Sequence, residues 1–167
     1  AAVSAAGVPE GLEKFSTDDV WTQDFFETAY TSMPGKGGPH VMRIALRSAN
    51  LYSNSNTSPL RRAGRVAFTY FRTRDSAGVQ QFDPKSDPDM DTLNSTGNFE
   101  TIPPYENGAE KWPVGRILRG SVPKFHPDAS FARMLDAQAV QKPLLVDTSW
   151  LLVGHVDETM SFVKSAT

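Results

Sequence analysis

Short apolar runs separated by breakers, rather than long periodic stretches, set the pattern of this chain. Residues 20–30 predict a first strand, and 41–47, Val41-Met42-Arg43-Ile44-Ala45-Leu46-Arg47, a second that could pair with it across the turn-forming Pro34-Gly35-Lys36-Gly37-Gly38-Pro39. Residues 65–71 are rich in β-branched and aromatic side chains and predict a third, well-buried strand. From 83 to 98 the chain is dense in Asp, Pro, Ser and Asn, which bond their own backbone; the expectation there is a functional loop or insertion. Short strands follow at 97–104 and 112–118. The clearest helix is 130–141, where Phe131, Met134, Leu135, Gln138 and Ala139 have mostly i, i+3, i+4 spacing behind Pro127-Asp128. Strands at 144–146 and 150–153 come next, and 158–163 reads as the opening of a helix.

The order of elements is mixed α/β, several short strands with few helices. No repeat at a 20 to 50 residue period is visible, although divergent modules of strands plus a helix fit the pattern. Residues 1–17 read as a flexible lead-in, and 18–167 as the ordered unit. At 167 residues and 39% hydrophobic content the chain matches one domain or a piece of one. Seventeen basic against 19 acidic residues give a net charge of -2 with no basic block, so no nucleic-acid partner is expected. Nor is a membrane partner, since no apolar run approaches the roughly 20 residues that span a bilayer. There is no cysteine, which removes disulfides, thiolate ligands and a cysteine nucleophile from this stretch of sequence. Asn56-Thr57-Ser58 and Asn94-Ser95-Thr96 are glycosylation sequons short enough to arise by chance.

Candidate chemistry concentrates in Trp150-Leu151-Leu152-Val153-Gly154-His155-Val156-Asp157-Glu158. In an extended chain His155 and Asp157 share a face at a strand tip, and Gly154 admits close approach by substrate or backbone. A second cluster is Trp21-Thr22-Gln23-Asp24-Phe25-Phe26-Glu27. If extended, it turns Gln23 and Glu27 to one face, as hard oxygen ligands suited to calcium, and Asp24 to the other, where it could meet Asp157. Two carboxylates and an imidazole suit a guanidinium substrate, whose planar fork matches carboxylates and whose departing ammonia needs a proton. The plainer alternative is a solvated group of side chains with a hydrogen-bonded His–Asp pair.

Other chemistries fit less well. An iron site of two histidines and a carboxylate needs a second histidine, and His40 and His126 read as ordinary loop residues. There is no Gly-x-Ser-x-Gly elbow, and Ser149 reads as a turn residue. Asp83, Asp87, Asp89 and Asp91 lack EF-hand spacing. Arg47, Arg61, Arg62, Arg65, Arg72 and Arg74 read as scattered surface charge, and Arg116 as a structural ion-pair partner.

Three separated segments carry a resemblance. Leu152-Val153-Gly154-His155-Val156-Asp157-Glu158-Thr159-Met160-Ser161-Phe162-Val163, Trp21-Thr22-Gln23-Asp24, and Gly97-Asn98-Phe99-Glu100 with Pro103-Pro104 and Trp112-Pro113-Val114-Gly115-Arg116-Ile117-Leu118 resemble the protein-arginine deiminases in kind and order. The resemblance implies a partial α/β-propeller of the pentein, guanidino-modifying type. It also implies hydrolysis of peptidyl arginine to citrulline through a covalent thiouronium intermediate, with calcium as cofactor. Matching positions give Asp24 and Asp157 as the guanidinium grip and His155 as acid/base. Trp21, Arg47 and Val153 become substrate contacts, and Gln23, Glu27, Glu100 and the backbone oxygens of Thr96 and Phe99 calcium ligands.

The departures are specific. Phe25 replaces an acidic calcium ligand of the animal enzymes, Ala49 replaces an arginine that holds substrate backbone, and the nucleophilic cysteine is absent. The chain is therefore expected to be the front and central portion of a catalytic domain, inactive alone and partnered by the missing C-terminal segment. The alternatives are a non-catalytic arginine- or calcium-binding module and a deiminase of small guanidino compounds. A cytoplasmic location is expected, with secretion as the alternative.

Overall fold

The computed structural model describes residues 5–7, 14–50, 60–83, 91–123, 128–138 and 142–163. Within them the chain is mixed α/β, with several short strands and few helices. Strands β1 (Phe26–Met33) and β2 (His40–Arg47) form an antiparallel hairpin, and β3 (Ser76–Val79) adds to β2 in parallel. A second sheet repeats this plan: β4 (Phe99–Ile102) pairs antiparallel with β7 (Arg116–Ser121), which pairs in parallel with β8 (Leu144–Asp147). A small hairpin, β5 (Tyr105–Asn107) and β6 (Glu110–Trp112), is inserted between β4 and β7.

Parallel neighbours need a crossover, and each sheet has a helical one. The first contains a 3₁₀ turn, Arg62–Arg65, and helix α1, Val66–Thr69; the second contains helix α2, Ala129–Asp136. Hence the strand expected at 65–71 is helical instead. Val66 and Ala67 are adjacent and both buried, whereas Arg65, Thr69 and Tyr70 face out, which no period-2 strand allows. The expected helix at 130–141 is α2, begun by Asp128, whose carboxylate accepts the Phe131 N–H at 2.8 Å. Such a cap contributes about 1 kcal/mol.

The duplication extends to side chains. Phe26-Glu27-Thr28 opens β1 as Phe99-Glu100-Thr101 opens β4, and Leu46-Arg47 closes β2 as Leu118-Arg119 sits in β7. The registers coincide, with Phe26 opposite Arg47 and Phe99 opposite Arg119. The two copies lie too far apart in sequence for a 20 to 50 residue period. Leu46, Ala49, Phe99, Phe131 and Leu135 form one buried cluster spanning both modules, with Phe99 and Phe131 edge to face at 5.3 Å. Burying each of the Leu and Phe side chains contributes about 1.5–3 kcal/mol. A second cluster, Phe25, Ala63 and Val66, is covered by Phe15, Phe26 and Phe71.

Three other expectations change. Residues 20–30 are not one strand: a 3₁₀ turn, Thr22–Asp24, precedes β1. Residues 150–153 form turns and bends rather than a strand, with Leu151 N–H on the Thr148 carbonyl and Leu152 98% exposed. A 3₁₀ turn, Val156–Glu158, replaces the expected helix opening at 158, and 160–163 are irregular. Among the described residues no helix is long and apolar enough to cross a membrane.

Candidate active site

Three 3₁₀ turns meet where the modules come together: Thr22–Asp24 ahead of β1, Thr96–Asn98 ahead of β4, and Val156–Glu158. The Thr96 hydroxyl donates to the Gln23 carbonyl at 2.7 Å and ties the first two turns. Because the chain is coiled rather than extended, Asp24 and Asp157 arrive from turns rather than from strand faces. His155 is buried, in extended backbone one residue before its turn, and its N–H donates to the Glu158 carboxylate at 2.9 Å. Its Nδ1 lies 3.8 Å from Asp24 Oδ1 and 4.0 Å from Asp157 Oδ1. On the other edge of the ring, Nε2 is 2.8 Å from both the hydroxyl and the carbonyl oxygen of Thr92. A carbonyl only accepts, so the Thr92 carbonyl holds a hydrogen on Nε2 and leaves Nδ1 facing the two carboxylates.

Gly97 lies at the centre of this group. In the duplicated alignment it takes the position of Asp24, but a Cβ on it would stand 2.5 Å from Asp24 Oδ1, 2.6 Å from His155 Nδ1 and 3.0 Å from Asp157 Oδ2. The three side chains converge only because the second module has no side chain there. Gly154 has a different reason to be glycine. A Cβ there would make ordinary contacts at 3.4 Å with Leu93 and Val122, so close approach is not the requirement. Its φ of +83° is, a left-handed turn that aims the chain into His155.

Asp24 is held from outside the group. Arg61 Nη1 donates to Asp24 Oδ2 at 2.7 Å, while Arg61 Nη2 donates to Asp19 Oδ1 at 2.6 Å and its Nε to Asp19 Oδ2. Both Arg61 and Asp19 are buried, so Arg61 is no surface charge. The Arg61 fork holds the Asp19 carboxyl below the usual carboxylate range. Asp19 also accepts the Trp21 N–H at 3.1 Å, which anchors the turn that carries Asp24. Asp19, Arg61 and Thr92 were not legible as site residues, because their partners lie up to 63 positions away in sequence.

The other expected positions separate into two sets. Gln23 Nε2 donates to Glu27 Oε2 at 3.2 Å, and the Thr96 carbonyl accepts the Phe99 N–H. Burial raises the Glu27 carboxyl, and Glu100 adds to the shift; burial raises Glu100, and Asp157 adds to it. Burial also raises Asp157, opposed by His155 and reinforced by Asp24 and Glu158. Glu27, Glu100 and Asp157 thus form a row of carboxylates that repel one another. Among the described residues no group of three or more His, Cys, Asp or Glu side chains is arranged to hold a metal by side chains alone. An open hollow of about 370 Å³ lies beside Gln23 and Glu27, walled by Phe15, Phe25, Phe26 and Phe71.

Trp21 and Val153 are exposed, whereas Arg47 is buried and internally committed. Its Nη1 donates to Gln80 at 2.6 Å and its Nη2 to the Arg61 carbonyl at 2.8 Å. Arg116 has no ion-pair partner among the described residues; it donates to the Lys142 carbonyl and stacks on Trp112 at 4.1 Å. His40 begins β2 rather than lying in a loop, and Ser149 is in a turn as expected. The sequon at Asn94 is buried. His126, Asp87, Asp89 and the sequon at Asn56 lie outside the described residues.

A sequence profile described as Protein-arginine deiminase (PAD) matches residues 3–167. The chain is similar to protein-arginine deiminase type-4 of Homo sapiens, 32% identical over 160 residues, which are 92% of this chain and 22% of that protein. It is similar to type-1 of Homo sapiens, 34% identical over 155 residues, 89% of this chain and 21% of that protein. It is also 34% identical over 152 residues to type-3 of Mus musculus, again 89% of this chain and 21% of that protein. The chain spans about a fifth of the length of these curated relatives. With nearly every residue inside one profile and the same relatives matched along most of its length, the chain belongs to the protein-arginine deiminase family.

Proposed function

We propose that this chain supplies the guanidinium-binding and proton-transferring part of a calcium-assisted catalytic domain that hydrolyses peptidyl arginine to citrulline and ammonia. The observation that carries the reading is the convergence of Asp24, His155 and Asp157 on the space left by Gly97. A unit charge pair at about 4 Å is worth about 4 kcal/mol at an effective dielectric near 20, so two carboxylates offset much of the desolvation of a bound guanidinium. Substrate binding also relieves the repulsion around Asp157, whose carboxyl burial raises.

In the reaction, Asp24 and Asp157 orient the planar guanidinium so that its central carbon is open to attack by a thiolate from outside this sequence. His155, aimed through Nδ1, gives a proton to the departing ammonia. It then takes one from the water that replaces sulfur on the same carbon. The products are citrulline, ammonia and regenerated thiol.

Gln23, Glu27, Glu100 and the carbonyls of Thr96 and Phe99 would hold the calcium. The fit rests on the row of mutually repelling carboxylates, with no Lys or Arg paired to Glu27 or Glu100 among the described residues, and on the adjacency of the Gln23 and Thr96 turns. Bound there, calcium would neutralise that row and stiffen the turns beneath Asp24. The duplicated strand–strand–helix–strand module supports a partial α/β-propeller. The exposed apolar Leu145, Trp150, Leu152 and Val163 support packing against the rest of such a domain.

The complete protein carrying this chain, given a blocked arginine peptide, free arginine and calcium or a chelator, should release citrulline from the peptide only with calcium. Release from free arginine alone would move the assignment to small guanidino compounds. Peptide binding without release would favour the second reading, a non-catalytic binding module.

A further inference from the structure

The ion network beneath Asp24 has a design that charge neutralisation alone does not need. Arg61 uses three separate nitrogens, two on Asp19 and one on Asp24, in a buried setting where each donor has a fixed direction. Its backbone is held on both sides. The Arg61 N–H donates to the Asn50 carbonyl at 3.2 Å, and its own carbonyl accepts Arg47 Nη2. Asp19 then reaches Asp24 by two routes, through the guanidinium to its side chain and through the Trp21 N–H to its turn. The result for Asp24 is a division of labour between oxygens: Oδ2 is occupied by Arg61, and Oδ1 is the oxygen turned to His155.

We propose that Arg61 and Asp19 are positioning residues that lock the Asp24 carboxylate, so that Asp24 meets a guanidinium substrate through Oδ1 and shares its other oxygen with a built-in guanidinium. This rests on the deiminase reading for its substrate, though not for its geometry. Asp157 then carries the larger share of ground-state binding, and Asp24 chiefly sets the angle at which the reacting carbon is presented. Arg47 gains a role at one remove, as the brace on the Arg61 backbone.

The test uses the complete protein with the double variant Asp19→Asn/Arg61→Gln, which replaces the buried Arg61–Asp19 ion pair by neutral hydrogen-bonding groups and releases the Asp24 carboxylate from its guanidinium partner. Arg61→Lys is the companion, keeping charge without the fork. Thermal melting of the double variant should stay within a few degrees of wild type. Its kcat/KM for a blocked arginine peptide should fall about tenfold to hundredfold, the scale of an ångström misplacement, with the loss mainly in kcat. Arg61→Lys should recover part of that loss, and a crystal structure of the double variant should show Asp24 displaced from His155.

A folded double variant with kcat/KM within twofold of wild type, or an unmoved Asp24, overturns the proposal. Failure of both variants to fold also overturns it, because the network would then be a requirement of the fold. Absence of citrulline from the wild-type protein removes the deiminase reading instead, and the displacement of Asp24 remains the readout for the positioning role.

Discussion

Gly97→Ala adds one methyl group at the centre of the site, and its cost follows from distances. The new Cβ would lie 2.5 Å from Asp24 Oδ1 and 2.6 Å from His155 Nδ1, where ordinary contacts begin near 3.4 Å. Both groups must retreat by roughly 0.8–0.9 Å, or the turn Thr96–Asn98 must shift by a similar amount. A misplacement of about 1 Å among reacting groups costs on the order of a hundredfold in rate, or about 2.7 kcal/mol of transition-state stabilisation. Stability should change far less. Gly97 has no left-handed backbone, so alanine fits its dihedrals and gains about 0.4–1 kcal/mol by restricting the unfolded chain, against the strain of displacing two side chains. The assay is kcat/KM for a blocked arginine peptide in the complete protein, beside its melting curve. Activity within threefold of wild type in a folded Gly97→Ala protein would refute the convergence on Gly97 as the substrate site.

Asp157→Asn turns one acceptor into a partial donor and should remove most turnover with the fold intact; wild-type rates would take Asp157 out of the grip. Thr92→Val removes the hydroxyl from His155 Nε2 but leaves the carbonyl, so we expect a loss of about threefold to tenfold in kcat, with a larger loss showing that the hydroxyl is the main orienting contact. Asp19 has a lowered pKa, chiefly from its hydrogen bonds with Arg61, so the stability it contributes is present above its ordinary value of 3.8 and is lost as pH falls through the lower folded value. Acid melting curves of wild type should drop more steeply there than those of Asp19→Asn, and parallel curves would contradict the pairing. Arg119 is buried against Phe99, its Nε and Nη2 have no hydrogen-bond partner among the described residues, and burial pushes its guanidinium down to about 10. Arg119→Met should therefore melt at or above the wild-type temperature, and a loss beyond about 2 kcal/mol would reveal a stabilising partner.

Legibility in the sequence followed the range of the interactions. The strands at 41–47 and 144–146 and the capped helix after Asp128 depend on neighbours a few positions away, and each has a counterpart in β2, β8 and α2, whereas the strand expected at 112–118 is split by a turn at Pro113 to Gly115 between the end of β6 and the start of β7. Residues 65–71 misled because β-branched and aromatic side chains suit any buried surface, and a crossover between parallel strands used them in a helix. The segment 150–153 read as a strand and forms largely exposed turns and bends, because apolar character alone does not say what will cover it. Arg61 looked like surface charge because nothing local marks its partners, Asp19 and Asp24, 42 and 37 positions away.

By itself, then, the sequence determined which residue types were available for chemistry: two carboxylates, one imidazole, the motifs around them and no cysteine. Only the tertiary structure decided how they meet. Three 3₁₀ turns from distant parts of the chain had to pack against one another before Asp24, His155 and Asp157 could share one space. That space exists because the middle turn presents glycine and because a buried arginine, held by Asp19, turns Asp24 toward the histidine. Distances of a few ångströms between residues more than 60 positions apart are set by packing and hydrogen bonding across the fold, and no local pattern encodes them.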